Sequence, residues 1–242
     1  MIRAAVLLHG FTNTGASWDP VVAALGESYR ALAPDIRGHG SASDAGPVTL
    51  EAVLGDVGDL APARFTLAGY SMGGRIALHA ALALPDRVQR LVLVGASPGL
   101  RDPAERAARR EQDERLAAEI EDLPIEEFAG RWARTPVLAG APPEVARRAH
   151  ADRLRNTPVG LARALRGLGT GALPSLWDRL GELEAPVVLV VGERDEKFRK
   201  IATEMADHLR RASIVVARGC GHAVHLEAPD IVAEVIARTQ AE

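Results

Sequence analysis

Residues Gly69-Tyr70-Ser71-Met72-Gly73 constrain the fold of this chain more than any other stretch. They lie between a short apolar run at 65–68 and a helix-like run that begins at Gly74 and stops at Pro85. A Gly-x-Ser-x-Gly sequence in that context is typical of a sharp strand-to-helix turn that strains the serine and exposes its hydroxyl. Ser71 is therefore the first candidate for a reactive group, and the alternative is an ordinary serine in a glycine-rich turn.

The partners that such a serine needs are present in the expected chain order. A serine hydroxyl is a weak nucleophile and base at neutral pH, so it requires an imidazole and a carboxylate that orients the imidazole. Asp195 follows the continuous apolar run 186–192, as expected for a strand buried on both faces. His222 follows a second strand-like run at 213–217. The order Ser71, Asp195, His222 is that of α/β-hydrolases, and positions after parallel strands are where open sheets carry their sites.

Each partner has an alternative interpretation. Asp195 could cap a helix, and His225 is a second imidazole three residues beyond His222. We favour His222 because the glycines that precede it predict a tight turn. His9, at the end of the first apolar run, is expected to be structural, while the backbone of its loop would supply one N–H of an oxyanion site. The amide of Met72, directly after the serine, would supply the second.

Composition limits the possible function classes. At 242 residues with 47% hydrophobic content, the chain can form one large domain. A formal charge of -3, without a run of basic residues, argues against binding to nucleic acid. The single cysteine, Cys220, allows no internal disulfide and fits a reducing compartment. The apolar stretch 4–8 is too short for a membrane span and leads to no cleavage site, so we expect a soluble, cytoplasmic protein.

Strand-like and helix-like segments alternate along the chain, which predicts an α/β fold with a mostly parallel, doubly wound sheet. Residues 97–180 interrupt this alternation with no convincing strand. They open with Asp102-Pro103-Ala104-Glu105, which is typical of a helix start with a capping box. We predict a core formed by residues 1–96 and 181–242, and a helical cap at 97–180 that selects the substrate. The predicted strands are residues 4–8, 30–33, 65–68, 91–95, 187–191 and 213–217.

Several motifs together carry a resemblance to a known family. They are His9-Gly10-Phe11-Thr12-Asn13-Thr14-Gly15, Gly69-Tyr70-Ser71-Met72-Gly73-Gly74-Arg75, Ser97-Pro98-Gly99-Leu100, Leu154-Arg155-Asn156-Thr157-Pro158, Gly167-Leu168-Gly169-Thr170-Gly171, Gly192-Glu193-Arg194-Asp195 with Lys197-Phe198, and Gly221-His222-Ala223-Val224-His225. The chain thereby resembles the 2-succinyl-6-hydroxy-2,4-cyclohexadiene-1-carboxylate synthases of menaquinone biosynthesis, which have the α/β-hydrolase fold. Members of that family commonly have an antiparallel hairpin before the strand that leads to the His-Gly loop. Here that loop is reached within nine residues, so we expect a trimmed sheet edge or a start further upstream.

The resemblance implies a lyase that eliminates pyruvate from 2-succinyl-5-enolpyruvyl-6-hydroxy-3-cyclohexene-1-carboxylate. Ser71 with His222 would remove a ring proton, Asp195 would orient the imidazole, and the resulting anion would expel the enolpyruvyl group. The backbone amides of Phe11 and Met72 would stabilise negative charge on the succinyl carbonyl.

A substrate with three carboxylates calls for several guanidinium groups, since each can bind a carboxylate through two hydrogen bonds. Arg75 lies one helical turn after the elbow serine. The resemblance adds Arg109 in the first cap helix and Arg155 in the Leu-Arg-Asn-Thr motif, with Tyr70 and Trp132 as nearby walls. The alternative for each arginine is a solvated surface position or a salt bridge, and Trp132 could belong to the core of the cap.

Two other function classes remain open from the sequence. One is a carboxylesterase or carbon–carbon bond hydrolase that uses Ser71 as a covalent nucleophile. The other is a non-catalytic ligand receptor on the same scaffold. We expect no metal, because His222 and His225 alone make a weak pair, and no dinucleotide, because the Gly-x-Gly-x-x-Gly turn is missing. The expected partner is a small tricarboxylate, bound by a monomer or a small homo-oligomer.

Overall fold

The computed structural model describes residues 3–238, and its centre is a six-stranded sheet in the order β2-β1-β3-β4-β5-β6. All six predicted strands are confirmed, although β4 begins three residues earlier than predicted. Every neighbouring pair of these strands is parallel, so the sheet is more uniform than the mostly parallel one we predicted. The strands are β1 (Arg3–Leu8), β2 (Tyr29–Leu32), β3 (Phe65–Tyr70), β4 (Val88–Val94), β5 (Val187–Gly192) and β6 (Ala212–Ala217).

Helices cover both faces of the sheet because alternate side chains of each strand point to opposite sides. In β1, Val6 and Leu8 belong to one buried cluster, and Ala5 and Leu7 belong to the other. On the first face lie α2 (Leu50–Leu60), α3 (Met72–Ala83) and α8 (Glu196–His208). On the second face lie α1 (Asp19–Leu25), α9 (Val224–Glu227) and α10 (Pro229–Ala237). Within residues 3–238 the structure contains no helix whose length and apolar character would suit a membrane span.

Four helices lie between β4 and β5, inside the span predicted to form a cap. They are α4 (Pro103–Glu121), α5 (Ile125–Trp132), α6 (Pro143–Arg153) and α7 (Pro158–Leu168). The predicted start of α4 is confirmed, because the Asp102 carboxylate accepts hydrogen bonds from the amides of Ala104 and Glu105 at 2.6 and 3.2 Å. Ile120, Phe128 and Leu161 join three of these helices in a small buried cluster of their own. We refer to α4–α7 and their connections as the cap.

Candidate active site

Ser71 occupies the sharp turn between β3 and α3. Its backbone has φ 50° and ψ −109°, a conformation that non-glycine residues rarely adopt and that stores strain. The turn is possible because no side chain stands at the flanking glycines. A Cβ on Gly69 would lie 2.4 Å from the carbonyl oxygen of Gly73, and a Cβ on Gly73 would lie 2.2 Å from that of Leu8. The two glycines of the pentapeptide are therefore required by close backbone packing.

Ser71, His222 and Asp195 form a connected chain of side chains. Nδ1 of His222 lies 2.6 Å from Oδ2 of Asp195, and its Nε2 lies 3.3 Å from Oγ of Ser71. The imidazole packs between the rings of Tyr70 and Phe198, with centroid distances of 5.2 and 4.4 Å. Asp195 also accepts a hydrogen bond from the amide of Phe198 at 3.4 Å and so caps α8. Asp195 therefore both caps a helix and contacts the imidazole of His222.

The other histidines considered from the sequence lie away from the serine hydroxyl. His225 is fully buried, stacks on Tyr70 at 4.1 Å and on Trp18 at 5.0 Å, and makes no hydrogen bond. Burial lowers the pKa of His225 to about 3, so the ring is neutral. Nε2 of His9 accepts a hydrogen bond from the amide of Ile36 at 2.9 Å, a structural contact. Among residues 3–238, no three His, Cys, Asp or Glu side chains are grouped so that they could hold a metal ion.

The two backbone amides considered as oxyanion donors border the same region. Met72 is the first residue of α3, and the first amides of a helix have no acceptor within it. Phe11 lies in the loop after β1, next to Thr12, which is held at φ 69°. No hydrogen bond joins either amide to another described residue. The amides are therefore free to donate to a ligand.

Ser71 and His222 open into a cavity of about 100 Å³ between the core and the cap. Tyr70 from β3 and Trp132 from α5 both line it, as does Phe11, whose ring meets the indole edge-on at 5.2 Å. The structure therefore brings Tyr70, Ser71, Trp132 and His222 to one cavity. The remaining cap wall is apolar and consists largely of Ala133, Val137, Leu138, Ala139, Ala141, Val145, Ala146 and Ala149.

Arg75 and Arg109 form a second cationic group that does not line this cavity. Arg75 is buried in α3, one turn after Ser71, and its Nε has no hydrogen-bond partner. Burial and the neighbouring charge of Arg109 lower the pKa of Arg75 to about 10. Arg109 is half-exposed and pairs with the buried Asp113 at 2.7 Å. Arg75 and Arg109 thus lie close to each other, with Arg75 lacking a carboxylate of its own.

Arg155, which we expected to bind the substrate, does not line the cavity that Ser71 and His222 share. Its side chain is exposed and borders a separate cleft beside Asp35 and Ser41. Arg153 is the guanidinium that lines the cavity, and only 5% of it is exposed. The amide of Arg155 bonds to the carbonyl of Asp152, which continues the turn at the end of α6, and residues two positions apart in such a turn point in nearly opposite directions.

Helical periodicity is the signal that could have identified Arg153. Val145, Ala149 and Arg153 follow one another at intervals of four residues and all line the cavity. The inward face of α6 is thus apolar and ends in a guanidinium. Nε of Arg153 has no hydrogen-bond partner, and burial lowers the pKa of this guanidinium.

Comparison with known proteins agrees with the fold. The sequence profile of the alpha/beta hydrolase family matches residues 5–235. The chain is 35% identical over 244 residues to the 2-succinyl-6-hydroxy-2,4-cyclohexadiene-1-carboxylate synthase of Salmonella newport (strain SL254), covering 96% of this chain and 92% of the relative. It is 36% identical over 244 residues to a Bacillus subtilis (strain 168) protein that carries the same name provisionally, covering 97% of this chain and 89% of that one.

Solved structures show the same likeness. MenH from S. aureus superposes with a TM-score of 0.90 at 30% identity, covering 98% of this chain and 92% of that one. A thermophilic esterase from Thermogutta terrifontis superposes with a TM-score of 0.79 at 24% identity, covering 97% and 88%, and shares the fold alone. The chain therefore belongs to the alpha/beta hydrolase family and, within it, to the 2-succinyl-6-hydroxy-2,4-cyclohexadiene-1-carboxylate synthases.

Proposed function

We propose that this protein is a pyruvate-eliminating lyase of menaquinone biosynthesis. It converts 2-succinyl-5-enolpyruvyl-6-hydroxy-3-cyclohexene-1-carboxylate into 2-succinyl-6-hydroxy-2,4-cyclohexadiene-1-carboxylate. The names of its relatives support this reaction. The observation that carries the proposal is the buried guanidinium of Arg153, which lines the same cavity as Ser71 and His222 and has an Nε without a partner.

A buried charge without a partner raises the free energy of the free protein. The charge of Asp152 acts on Arg153, but the carboxylate oxygens of Asp152 accept hydrogen bonds from Asn13 and Thr14 instead. A carboxylate of an anionic substrate would give the Arg153 guanidinium a charged hydrogen-bond partner, whereas a neutral ester would not. The unpaired Arg75 adds a second guanidinium one turn from the serine. Both features favour a substrate with several carboxylates.

The chemistry begins at the ring carbon next to the succinyl carbonyl. A proton on this carbon is acidic because the carbanion that remains is stabilised as an enolate. Oγ of Ser71 takes this proton while Nε2 of His222 takes the proton of the serine, and Asp195 holds the imidazole by accepting from Nδ1. The electron pair moves through the ring double bond and breaks the bond to the enolpyruvyl oxygen. The leaving group departs as the enolate of pyruvate and gains a proton on its methylene carbon, while His222 gives up the proton it took from the serine, so no water is consumed.

The enolate oxygen needs stabilisation while the charge develops. The amides of Phe11 and Met72 flank the serine and carry no other hydrogen bond, which makes them suitable donors. Arg153 at the cavity wall binds one carboxylate of the substrate, and Arg75 and Arg109, which do not line the cavity in this structure, bind the others once cap residues have moved outward. The cavity of about 100 Å³ is smaller than typical ligand sites, so binding requires cap residues to move outward.

The reaction is tested by a continuous assay for pyruvate. The enolpyruvyl substrate is generated in the cuvette by the enzyme that makes it, and the purified protein is then added. We expect pyruvate release by the wild type and none above background by Ser71→Ala or Arg75→Ala. An acyl-enzyme burst with a nitrophenyl ester, together with no turnover of the enolpyruvyl substrate, would instead identify a serine hydrolase. Tight binding of the substrate without turnover would identify a receptor.

A further inference from the structure

The loop that carries Phe11 is held from two sides. On the core side, the carbonyl of Gly10 lies 2.9 Å from Nδ1 of His9, and Nε2 of the same ring bonds to the amide of Ile36. On the cap side, the loop contacts the segment that follows α6. The position of the Phe11 amide therefore depends on contacts with a different part of the chain, more than a hundred residues away.

Asp152 makes most of the contacts on the cap side. Its Oδ2 accepts hydrogen bonds from Nδ2 of Asn13 at 3.1 Å and from the amide of Thr14 at 3.0 Å. Its Oδ1 accepts a further hydrogen bond from the hydroxyl of Thr14. The carboxylate is 6% exposed, so water does not replace these donors easily. All three bonds go to the two residues that follow Thr12 in the loop.

Asn156 makes the second contact. Its Nδ2 donates to the carbonyl oxygen of Thr12 at 2.9 Å, and its Oδ1 accepts from the amide of Gly40 at 3.0 Å. Thr12 is a β-branched residue at φ 69°, a strained conformation that persists only where surrounding contacts fix it. Asn156 thus holds the carbonyl of this strained residue, and Asp152 holds the two residues that follow it.

We propose that Asp152 and Asn156 are positioning residues that set the Phe11 amide for the enolate oxygen. The inference rests on the function proposed above. It gives the Leu-Arg-Asn-Thr motif a role beyond its arginine, since the asparagine of the motif fixes the strained Thr12. Arg153 projects into the cavity from between the two positioning residues, so one cap segment both offers the guanidinium and fixes the oxyanion loop.

Two substitutions at Asp152 separate hydrogen bonding from charge. Asp152→Ala removes every acceptor. Asp152→Asn removes the charge but keeps the shape: its amide oxygen can accept at the Oδ2 position, and its NH₂ can donate to the Thr14 hydroxyl, which is also an acceptor. A displaced oxyanion donor acts on the transition state rather than on substrate binding, so kcat should fall while KM stays constant.

The experiment measures pyruvate release by the wild type, Asp152→Ala, Asp152→Asn and Glu144→Gln. Glu144 is an exposed acid on the same helix and serves as the matched control. We expect kcat to fall about 10- to 100-fold in Asp152→Ala, because small misplacements of a catalytic group cost on the order of 100-fold. We expect Asp152→Asn to stay within about 3-fold of wild type and Glu144→Gln to be unchanged. Equal losses in both Asp152 variants, or a normal kcat in Asp152→Ala, overturn the proposal.

Hydrogen exchange of the loop provides a readout that is independent of the reaction. The Thr14 amide is protected by Asp152, so peptides covering residues 10–15 should exchange faster in Asp152→Ala than in the wild type or Asp152→Asn. Unchanged exchange overturns the proposal even if the protein proves to catalyse another reaction. If Asp152→Ala does not fold, Thr14→Val removes one of the same hydrogen bonds, and a normal kcat in that variant overturns it.

Discussion

Replacing Arg153 with methionine should lower activity while leaving the protein at least as stable as before. Arg153 is 5% exposed, its Nε is unpaired, and burial already lowers the pKa of its guanidinium. In the free protein the charge of the neighbouring Asp152 only partly offsets the cost of burying this guanidinium. In the complex, we expect it to bind a substrate carboxylate. The same substitution therefore has opposite effects on the two states.

The expected changes in kcat/KM and in the free energy of unfolding are estimated separately. A hydrogen bond to a charged group contributes about 1.5–3 kcal/mol, which corresponds to a loss of about 10- to 150-fold in kcat/KM. Replacing buried ionic groups with apolar ones of similar volume is often neutral or stabilising. We expect the free energy of unfolding of Arg153→Met to rise by between 0 and about 2 kcal/mol. Each kcal/mol corresponds to about 2–4 °C in melting temperature for a chain of this length.

The assay pairs pyruvate release with thermal unfolding of the ligand-free protein. Arg147→Met is the control, since Arg147 lies on the same helix and is exposed, paired only with the exposed Glu144. This control should change neither quantity. Substrate or product should also raise the melting temperature of the wild type more than that of Arg153→Met. Normal kinetics in Arg153→Met, combined with a lower melting temperature, would refute the reasoning, because Arg153 would then be a structural residue.

Three further predictions concern the residues around the serine. Ser71→Ala and Asp195→Asn should each lower kcat by about 10³- to 10⁴-fold with the fold intact, and near-normal pyruvate release from either would contradict the roles given to them. Gly95 has φ 55°, and a Cβ added there in Gly95→Ala would lie 2.8 Å from Cε1 of His222. We therefore expect this substitution to lower the free energy of unfolding by about 1–3 kcal/mol and to reduce kcat. If thermal unfolding and kcat both stay at wild-type values, the imidazole is not held against this glycine. His225 has a pKa of about 3 when folded and 6.5 as its reference value, so the unfolded chain binds more protons and stability falls as the pH drops through that window. His225→Phe should therefore reduce the slope of unfolding free energy between pH 6 and 4 by about 1 kcal/mol per pH unit, measured by urea titration, and an unchanged slope would argue against a neutral buried imidazole.

The sheet and the elbow could be predicted from the sequence because both depend on local constraints. A strand buried on two faces must be apolar at every position, as β5 is over Val187–Gly192. The elbow must have glycine at two positions because the backbone of its neighbours occupies the space of a side chain. Such constraints leave a pattern in a single sequence, and the strand that precedes Ser71 and the helix that follows it were found from that pattern.

The cap residues could not be assigned in the same way. Arg153 and Arg155 are two residues apart in an arginine-rich segment, and which of them faces the cavity depends on the rotation of α6 and on how its last turn ends. Asp152 and Asn156 resemble ordinary polar residues at a helix end until the loop containing Thr12 lies against them. These contacts join segments more than a hundred residues apart, and nothing local in either segment specifies the other.

Ser71, His222 and Asp195 alone do not explain an elimination reaction, because the same three side chains serve hydrolases. In a hydrolase, the serine attacks a carbonyl and water completes the reaction. In the elimination proposed here, the serine needs only to accept a proton. The carbanion needs a good leaving group, and the negative charges of the substrate carboxylates around it must be neutralised. In the proposed complex, the guanidinium of Arg153 at the cavity wall would supply that neutralisation for a polyanion. A neutral substrate would leave Nε of Arg153 without a hydrogen-bond partner while it occupied the cavity, so we expect this guanidinium to discriminate against it before any bond is broken.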